Sequence, residues 1–297
     1  MKTKPMCAAC LLHRGISEID LATSDSQVKM RAIKKLLQFL SENFSERAVS
    51  ATLGTHRDRI IRQETSCAYP YKEKKILSNN YALKLLPKLK STIEKEREAY
   101  NKFRKACLAA IIGNSIEFDM LEHNQELENF PKLLDTAEEQ IEIDQIPEIY
   151  SKVKDSKKIL YLADNAGEIV IDSLFIKEIK KTGPNVVVAV KSGPVLNDAT
   201  MEDALVAKIP DVADEVITTG VDSVGLILSE SSTELMKHFT ESDLVISKGM
   251  GSYETISEER ITGNKCIAFL LRAKCSAVAS DLGVRQVSSV AKLSCWK

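Results

Sequence analysis

Apolar positions in the first half of the chain recur at helical spacing. Ile33, Leu36, Leu37, Leu40 and Phe44 fall on one face of a 3.6-residue period, with Lys34, Lys35, Gln38 and Glu42 off it. Leu85, Leu86, Leu89 and Ile93 repeat the pattern, and Pro87 is expected to kink or restart that helix. Residues 92–112 keep the helical texture up to Gly113-Asn114, a pair suited to ending a helix. No run before about residue 158 reads as a strand. The acidic stretch from Glu122 to Asp144 reads as a solvated helix face or a connector.

Beyond that point the period changes. Ile159–Ala163, Val186–Val190, Glu215–Thr218, Leu244–Ser247 and Cys266–Leu271 are short apolar runs, several of them β-branched, and each is too short for a lone helix. An amphipathic helical stretch from Glu168 to Lys181, ended by Thr182-Gly183-Pro184, separates the first two. Buried runs alternating with helices predict an α/β fold with a doubly wound, mostly parallel sheet. The expected organisation is an all-helical domain in residues 1–150 and an α/β domain in residues 151–297.

Composition narrows the function classes. The 297 residues carry a formal net charge of −1, so no global attraction to nucleic acid or anionic membrane is expected. No stretch approaches the roughly 20 apolar residues of a membrane span. The opening MKTKPMCAAC has no apolar region behind its lysines, so a signal peptide is not expected and a cytoplasmic location is. Seven cysteines, mostly in apolar surroundings, fit reduced thiols. Cys7 and Cys10 suit packing as small apolar side chains. A zinc site would need Cys67 and either His13 or His56 to complete it.

In doubly wound sheets, ligands bind beyond the carboxyl ends of the strands. Three of these ends carry charged or amide residues among small ones. They are Asp164-Asn165-Ala166-Gly167-Glu168, the segment from Lys191 to Asn197-Asp198, and the segment from Lys248 to Glu254. Asp and Asn beside Gly also serve as turn formers and helix caps, so each segment alone has a structural explanation. Together they offer two carboxylates and an amide oxygen, hard donors suited to a divalent ion such as Mg²⁺ or Mn²⁺. The helix opening near Gly167 directs backbone N–H groups to the same edge, and Lys248 adds a fixed charge for a phosphate. The four histidines, His13, His56, His123 and His238, lie outside these loops.

The chain resembles the damage-control phosphatase family, formerly a domain of unknown function and also called acidic-residue-methyltransferase-like. It is most similar to the compact prokaryotic branch. The matching segments are Cys7-Ala-Ala-Cys10-Leu-Leu, Gly113-Asn114-Ser-Ile-Glu-Phe118, Asp164-Asn-Ala-Gly-Glu168, Lys191-Ser-Gly-Pro-Val-Leu-Asn197-Asp198, Ser247-Lys-Gly-Met-Gly-Ser-Tyr-Glu254 and Leu270-Leu-Arg-Ala-Lys274-Cys275. The resemblance implies a helical region on a Rossmann-like α/β domain, with metal held by Asp164, Asn165 and Asp198 and phosphate met by Lys248. It implies hydrolysis of small phosphorylated metabolites such as sugar phosphates, with a divalent Mg, Mn, Co or Ni ion. Gly167, Glu168, Lys191, Asn197, Glu254 and Asn114 complete the candidate substrate contacts. The chain departs from the family pattern at Tyr69-Pro70-Tyr71-Lys72 and at Ile116-Glu117-Phe118.

Two other classes compete. A methyltransferase that uses S-adenosylmethionine would want a glycine-rich turn after the first strand, where only Gly167 is present. A non-catalytic metal- or nucleotide-binding module would carry the same donors. A haloacid-dehalogenase-like phosphatase would place a second aspartate where Ala166 stands. For a phosphatase, the expectation is direct attack by a metal-polarised water, oriented by Glu168 or Glu254.

Overall fold

Strands form where the apolar runs were read, and two more join them. The computed structural model describes residues 1–114, 130–259, 261 and 265–296. Its strands are β1 (Ile141–Asp144), β2 (Lys158–Leu162), β3 (Asn185–Val190), β4 (Glu215–Thr218), β5 (Leu244–Lys248), β6 (Lys265–Arg272) and β7 (Ser289–Trp296). Among the described residues they make one seven-stranded sheet in the order β1-β7-β6-β5-β2-β3-β4. Every neighbouring pair is parallel except β6 and β7. The chain moves outward through β3 and β4 on one side of β2 and through β5 and β6 on the other. The order therefore reverses between β2 and β5, where a crevice opens at the carboxyl ends.

The central strands β2, β3, β5 and β6 are largely apolar because both faces are dry. Ile159 and Tyr161 of β2, Val186 and Val188 of β3, and Leu244 and Ile246 of β5 join one buried cluster. That cluster includes residues of α4 (Lys72–Glu94), α5 (Ala99–Gly113), α6 (Phe130–Gln140), α7 (Ile146–Asp155), α8 (Glu168–Lys180) and α9 (Met201–Val206). The alternate residues Leu160, Leu162, Val187, Ala189 and Val245 join the opposite cluster, with α10 (Thr233–Glu241), α11 (Gly249–Ile256) and α12 (Ser276–Leu282). The strand period of two is thus visible as two separate cores. At the N-terminus α1 (Pro5–Ala22), α2 (Ser26–Asn43) and α3 (Ser50–Thr65) meet around Ile19, Ala32 and Ile61.

Several expectations need correction. β1 lies before residue 158, at the sheet edge. It is short, and only alternate residues are half-buried, so it lacks an apolar run. The first core joins Leu85, Leu89 and Phe103 to residues of the strands. α4 runs unbroken through Pro87. The carbonyl that loses its donor there belongs to Leu83, on the exposed side of the helix, where water can replace it. The helical texture of 92–112 is instead divided between α4 and α5. Cys266 and Cys295 are direct partners across β6 and β7 and form a disulfide, against the expectation of seven reduced thiols. Cys7, Cys10, Cys67, Cys107 and Cys275 are free. Ile116, Glu117, Phe118, His123 and the start of the acidic stretch, residues 122–129, lie outside the described residues; the rest of the stretch forms α6 and β1. Among the described residues no helix is long and apolar enough to cross a membrane.

Candidate active site

The loops that follow β2 and β3 are joined by backbone hydrogen bonds. Asn165 and Asp198 form an isolated antiparallel bridge. Ala166 N–H donates to Asn197 O at 2.9 Å, and Ala199 N–H to Asp164 O at 2.7 Å. Asp198 N–H closes a turn on Val195 O at 3.1 Å. Within that turn Leu196 takes a left-handed conformation, φ 45°, which costs a non-glycine residue on the order of 1 kcal/mol. The buried Asp58 holds it there, accepting from Leu196 N–H at 3.2 Å. Adjacent parallel strands, a zippered pair of loops and a pinned turn thus carry Asp164, Asn165 and Asp198 to one place.

Two amides hold the carboxylates. Asn165 Nδ2 donates to Asp164 Oδ2 at 2.8 Å and to Glu168 Oε2 at 3.0 Å. Asn114 Nδ2, at the end of α5, donates to the same two oxygens at 2.8 and 2.6 Å. With its N–H groups on these carboxylates, Asn165 keeps Oδ1 as the atom available to a ligand. Asn114, Asp164, Asn165, Asn197 and Asp198 line one cavity of about 490 Å³.

The other sequence candidates stand behind this wall. Lys248 is 0% exposed, and its ammonium donates to Glu168 Oε1 at 2.5 Å, Asp172 Oδ1 at 2.7 Å and Ala110 O at 3.0 Å. An ammonium has three N–H donors, so none is left for a phosphate. Glu168, also buried, is fixed between Lys248 and the two amides and does not line the cavity. Gly167 packs under α4, where a Cβ would sit 2.9 Å from Ser78 Cβ and O; its φ of +75° also favours glycine. Its N–H donates to Asn79 Oδ1 at 2.7 Å, so the opening of α8 is occupied by side chain and loop rather than offered to an anion. Lys191 is buried, donates to Gly225 O and lies 3.5 Å from Asp198 Oδ2. Glu254 lines an adjoining cavity.

The cations that do line the main cavity come from elsewhere. Arg14 of α1, Arg57 of α3, Lys74 of α4 and Lys274 beyond β6 face it, with Tyr71 and His13. Lys274 Nζ donates to Asn114 O at 2.7 Å, beside Asp164. Arg57 is buried 3.5 Å from the buried Glu18. In sequence, Arg14, Arg57 and Lys74 look like ordinary polar positions of helices. Lys274 alone carried a signal, inside the segment Leu270–Cys275 that matches the family. The Cys7/Cys10 pair gains neither Cys67 nor a histidine around its cavity. Among the described residues no group of three His, Cys, Asp or Glu side chains is arranged to hold an ion.

The electrostatics favour a cation between the aspartates. Burial pushes the Asp164 carboxyl up to about 8, with the Glu168 and Asp198 charges adding and Lys274 and Lys191 opposing. Burial likewise raises Asp198, to about 6, against Lys191 and Lys75. Asp198 Oδ2 is buried and takes no hydrogen bond from any described residue. A carboxylate oxygen met only by the Lys191 ion pair at 3.5 Å, a second carboxylate under like-charge repulsion and a directed amide fit a hard divalent ion. Gly249, φ +77°, presses on this wall: a Cβ there would overlap the Asp164 carboxylate.

Comparison with known proteins agrees with the resemblance read from the motifs. The damage-control phosphatase ARMT1-like domain matches residues 3–290. A protein of Archaeoglobus fulgidus named a damage-control phosphatase is 36% identical over 294 residues, 99% of each chain. Another, from Pyrococcus horikoshii, is 32% identical over 286 residues, 96% of this chain and 95% of its own. The crystal structure of a DUF89 family protein from P. horikoshii superposes with a TM-score of 0.87 at 32% identity, covering 98% of both chains. With its motifs, its sheet and nearly its whole length in agreement, the chain belongs to the damage-control phosphatase ARMT1-like family.

Proposed function

We propose that this chain is a divalent-metal-dependent phosphatase that hydrolyses small phosphorylated metabolites. Relatives named damage-control phosphatases support the phosphatase reading. The observation that carries the rest is the composition of one cavity. Asp164, Asn165 and Asp198 form one wall, and Arg14, Arg57, Lys74 and Lys274 lie around the same space. Carboxylates facing basic residues suit a phosphate shared between a metal ion and cations.

A divalent ion held by Asp164, Asn165 and Asp198 would neutralise phosphoryl oxygen charge and lower the pKa of a water molecule. Lys274, Arg14 and Lys74 would take the remaining phosphoryl oxygens. Asn114 and Glu168 keep the Asp164 and Asn165 side chains in place through the shared amide bonds. Phosphoryl transfer needs little more than positioning and charge neutralisation, which these groups supply. Asp164 holds the ion in this reading, and its Oδ2 is engaged by two amide N–H groups. We therefore retain direct attack by water, but without Glu168, which is buried behind the wall.

In the same reading the sheet is Rossmann-like, its order reversing at β2 and β5. Residues 151–297 carry the metal wall, α1, α3 and α4 roof it, and the protein works in the cytoplasm. Turnover of para-nitrophenyl phosphate by the purified protein tests the proposal. Hydrolysis should appear with Mn²⁺, Co²⁺, Ni²⁺ or Mg²⁺ and vanish with a chelator. Metal-independent turnover, or none with any of the four ions, refutes it.

A further inference from the structure

Next to the reaction cavity lies a second one of about 350 Å³, with a different lining. Its walls include Cys7 and Leu11 of α1, Ala51 of α3, Met250 of α11, and Cys275 and Ala277 at the start of α12. Cys7, Leu11, Ala51 and Ala277 are buried apolar or soft side chains on this lining, which Arg14, Arg57, Lys274 and Glu254 complete with charge. The two cavities share Arg14, Arg57, Leu196, Val224, Met250, Gly251 and Lys274, so they meet at residues assigned to the phosphate. Asp164, Asn165 and Asp198 line only the first.

We propose that this second cavity is the subsite for the organic leaving group of the phosphomonoester, and that it takes an apolar chain or ring. The assignment rests on the phosphatase reading. A phosphate seated at Lys274 and Arg14 has the carboxylate wall on one side. An ester carbon is favoured on the other side, where burial gains about fourfold in affinity per methylene. Glu254, singled out by its motif but outside the reaction cavity, lies on this wall.

Phosphonates test this without turnover. Methylphosphonate and n-hexylphosphonate are titrated calorimetrically into the protein in Mn²⁺ buffer. The hexyl compound should bind at least about tenfold more tightly. Cys10→Trp fills the second cavity from an exposed position that does not line the first. It should abolish the hexyl advantage and leave methylphosphonate unchanged. Gly54→Leu fills the cavity from α3, where an added Cβ meets only Val224 Cγ2 at 3.8 Å, and should act alike if Cys10→Trp does not fold. Equal affinities in the parent, or a hexyl advantage that survives a folded filling variant, overturn the proposal. If para-nitrophenyl phosphate is hydrolysed without a chain-length preference, the subsite fails alone. If the preference is present without hydrolysis of any phosphoester, the activity fails and the cavity remains a ligand site.

Discussion

Lys248 Nζ lies 2.5 Å from Glu168 Oε1 and 2.7 Å from Asp172 Oδ1, in a place no solvent reaches. The lysine is therefore a strut: it holds Glu168, which holds the amides of Asn114 and Asn165. Lys248→Met leaves two buried carboxylates without their cation. It should destabilise the fold by about 3–5 kcal/mol and weaken metal binding with it. Denaturant unfolding and metal titration of the same sample check this. A stable variant that binds metal normally and loses only phosphate would restore Lys248 as a phosphate ligand.

Lys274 should behave in the opposite way. It lines the cavity and is anchored on Asn114 O. Lys274→Ala should weaken phosphate binding by roughly 10- to 100-fold, the scale of a lost charge-assisted hydrogen bond. Stability and metal affinity should change little. The measurement is phosphate inhibition of para-nitrophenyl phosphate turnover, with metal affinity determined in parallel.

Gly249 leaves no room for a side chain beside Asp164. Gly249→Ala forces either the α11 start or the Asp164 carboxylate to move. We expect metal affinity to fall about 10- to 100-fold, comparable to losing a supporting contact of a ligand. A Gly249→Ala protein that binds Mn²⁺ like the parent would mean that Asp164 is not held where the ion binds.

The two aspartates also give a sign for pH dependence. Their pKa values rise from an ordinary 3.8 to about 8 for Asp164 and about 6 for Asp198. In metal-free protein the folded state then binds more protons than the unfolded state. Their stabilising contribution is complete below about pH 4. It falls as pH rises through about 6 and then 8. The ion competes with these protons, so its affinity should rise over the same interval. Unfolding of the parent and of Asp164→Asn, from pH 5 to 8.5 with chelator, tests the point. The parent should lose stability relative to the variant as pH rises; a constant difference counts against the assignment.

Much of this was legible in the chain. β2, β3, β5 and β6 show as apolar runs because both sheet faces are buried there, and β4, at the other edge, shows through its β-branched residues. β1 and β7 do not: β1 is four residues at an edge, and from Lys292 onward β7 is only partly buried. The residues Asp164, Asn165 and Asp198 were readable as strand-end donors, and their loops do meet. The direction of Lys248 was not taken from its position, although the strand period fixes it. Two residues after Ile246, it points to the face under α5 and α8, away from the cavity. The basic residues of α1, α3 and α4 were invisible because only the tertiary fold carries those helices over the sheet's carboxyl edge.

The position of the bound ion decides between these readings. Crystals grown with Mn²⁺ and measured for anomalous scattering near its absorption edge answer this directly. One peak per chain is predicted, within about 2.0–2.4 Å of oxygens from Asp164, Asn165 and Asp198. It should be absent in Asp198→Ala. A strong peak elsewhere with none at these residues, or an undiminished peak in Asp198→Ala, would contradict the central claim.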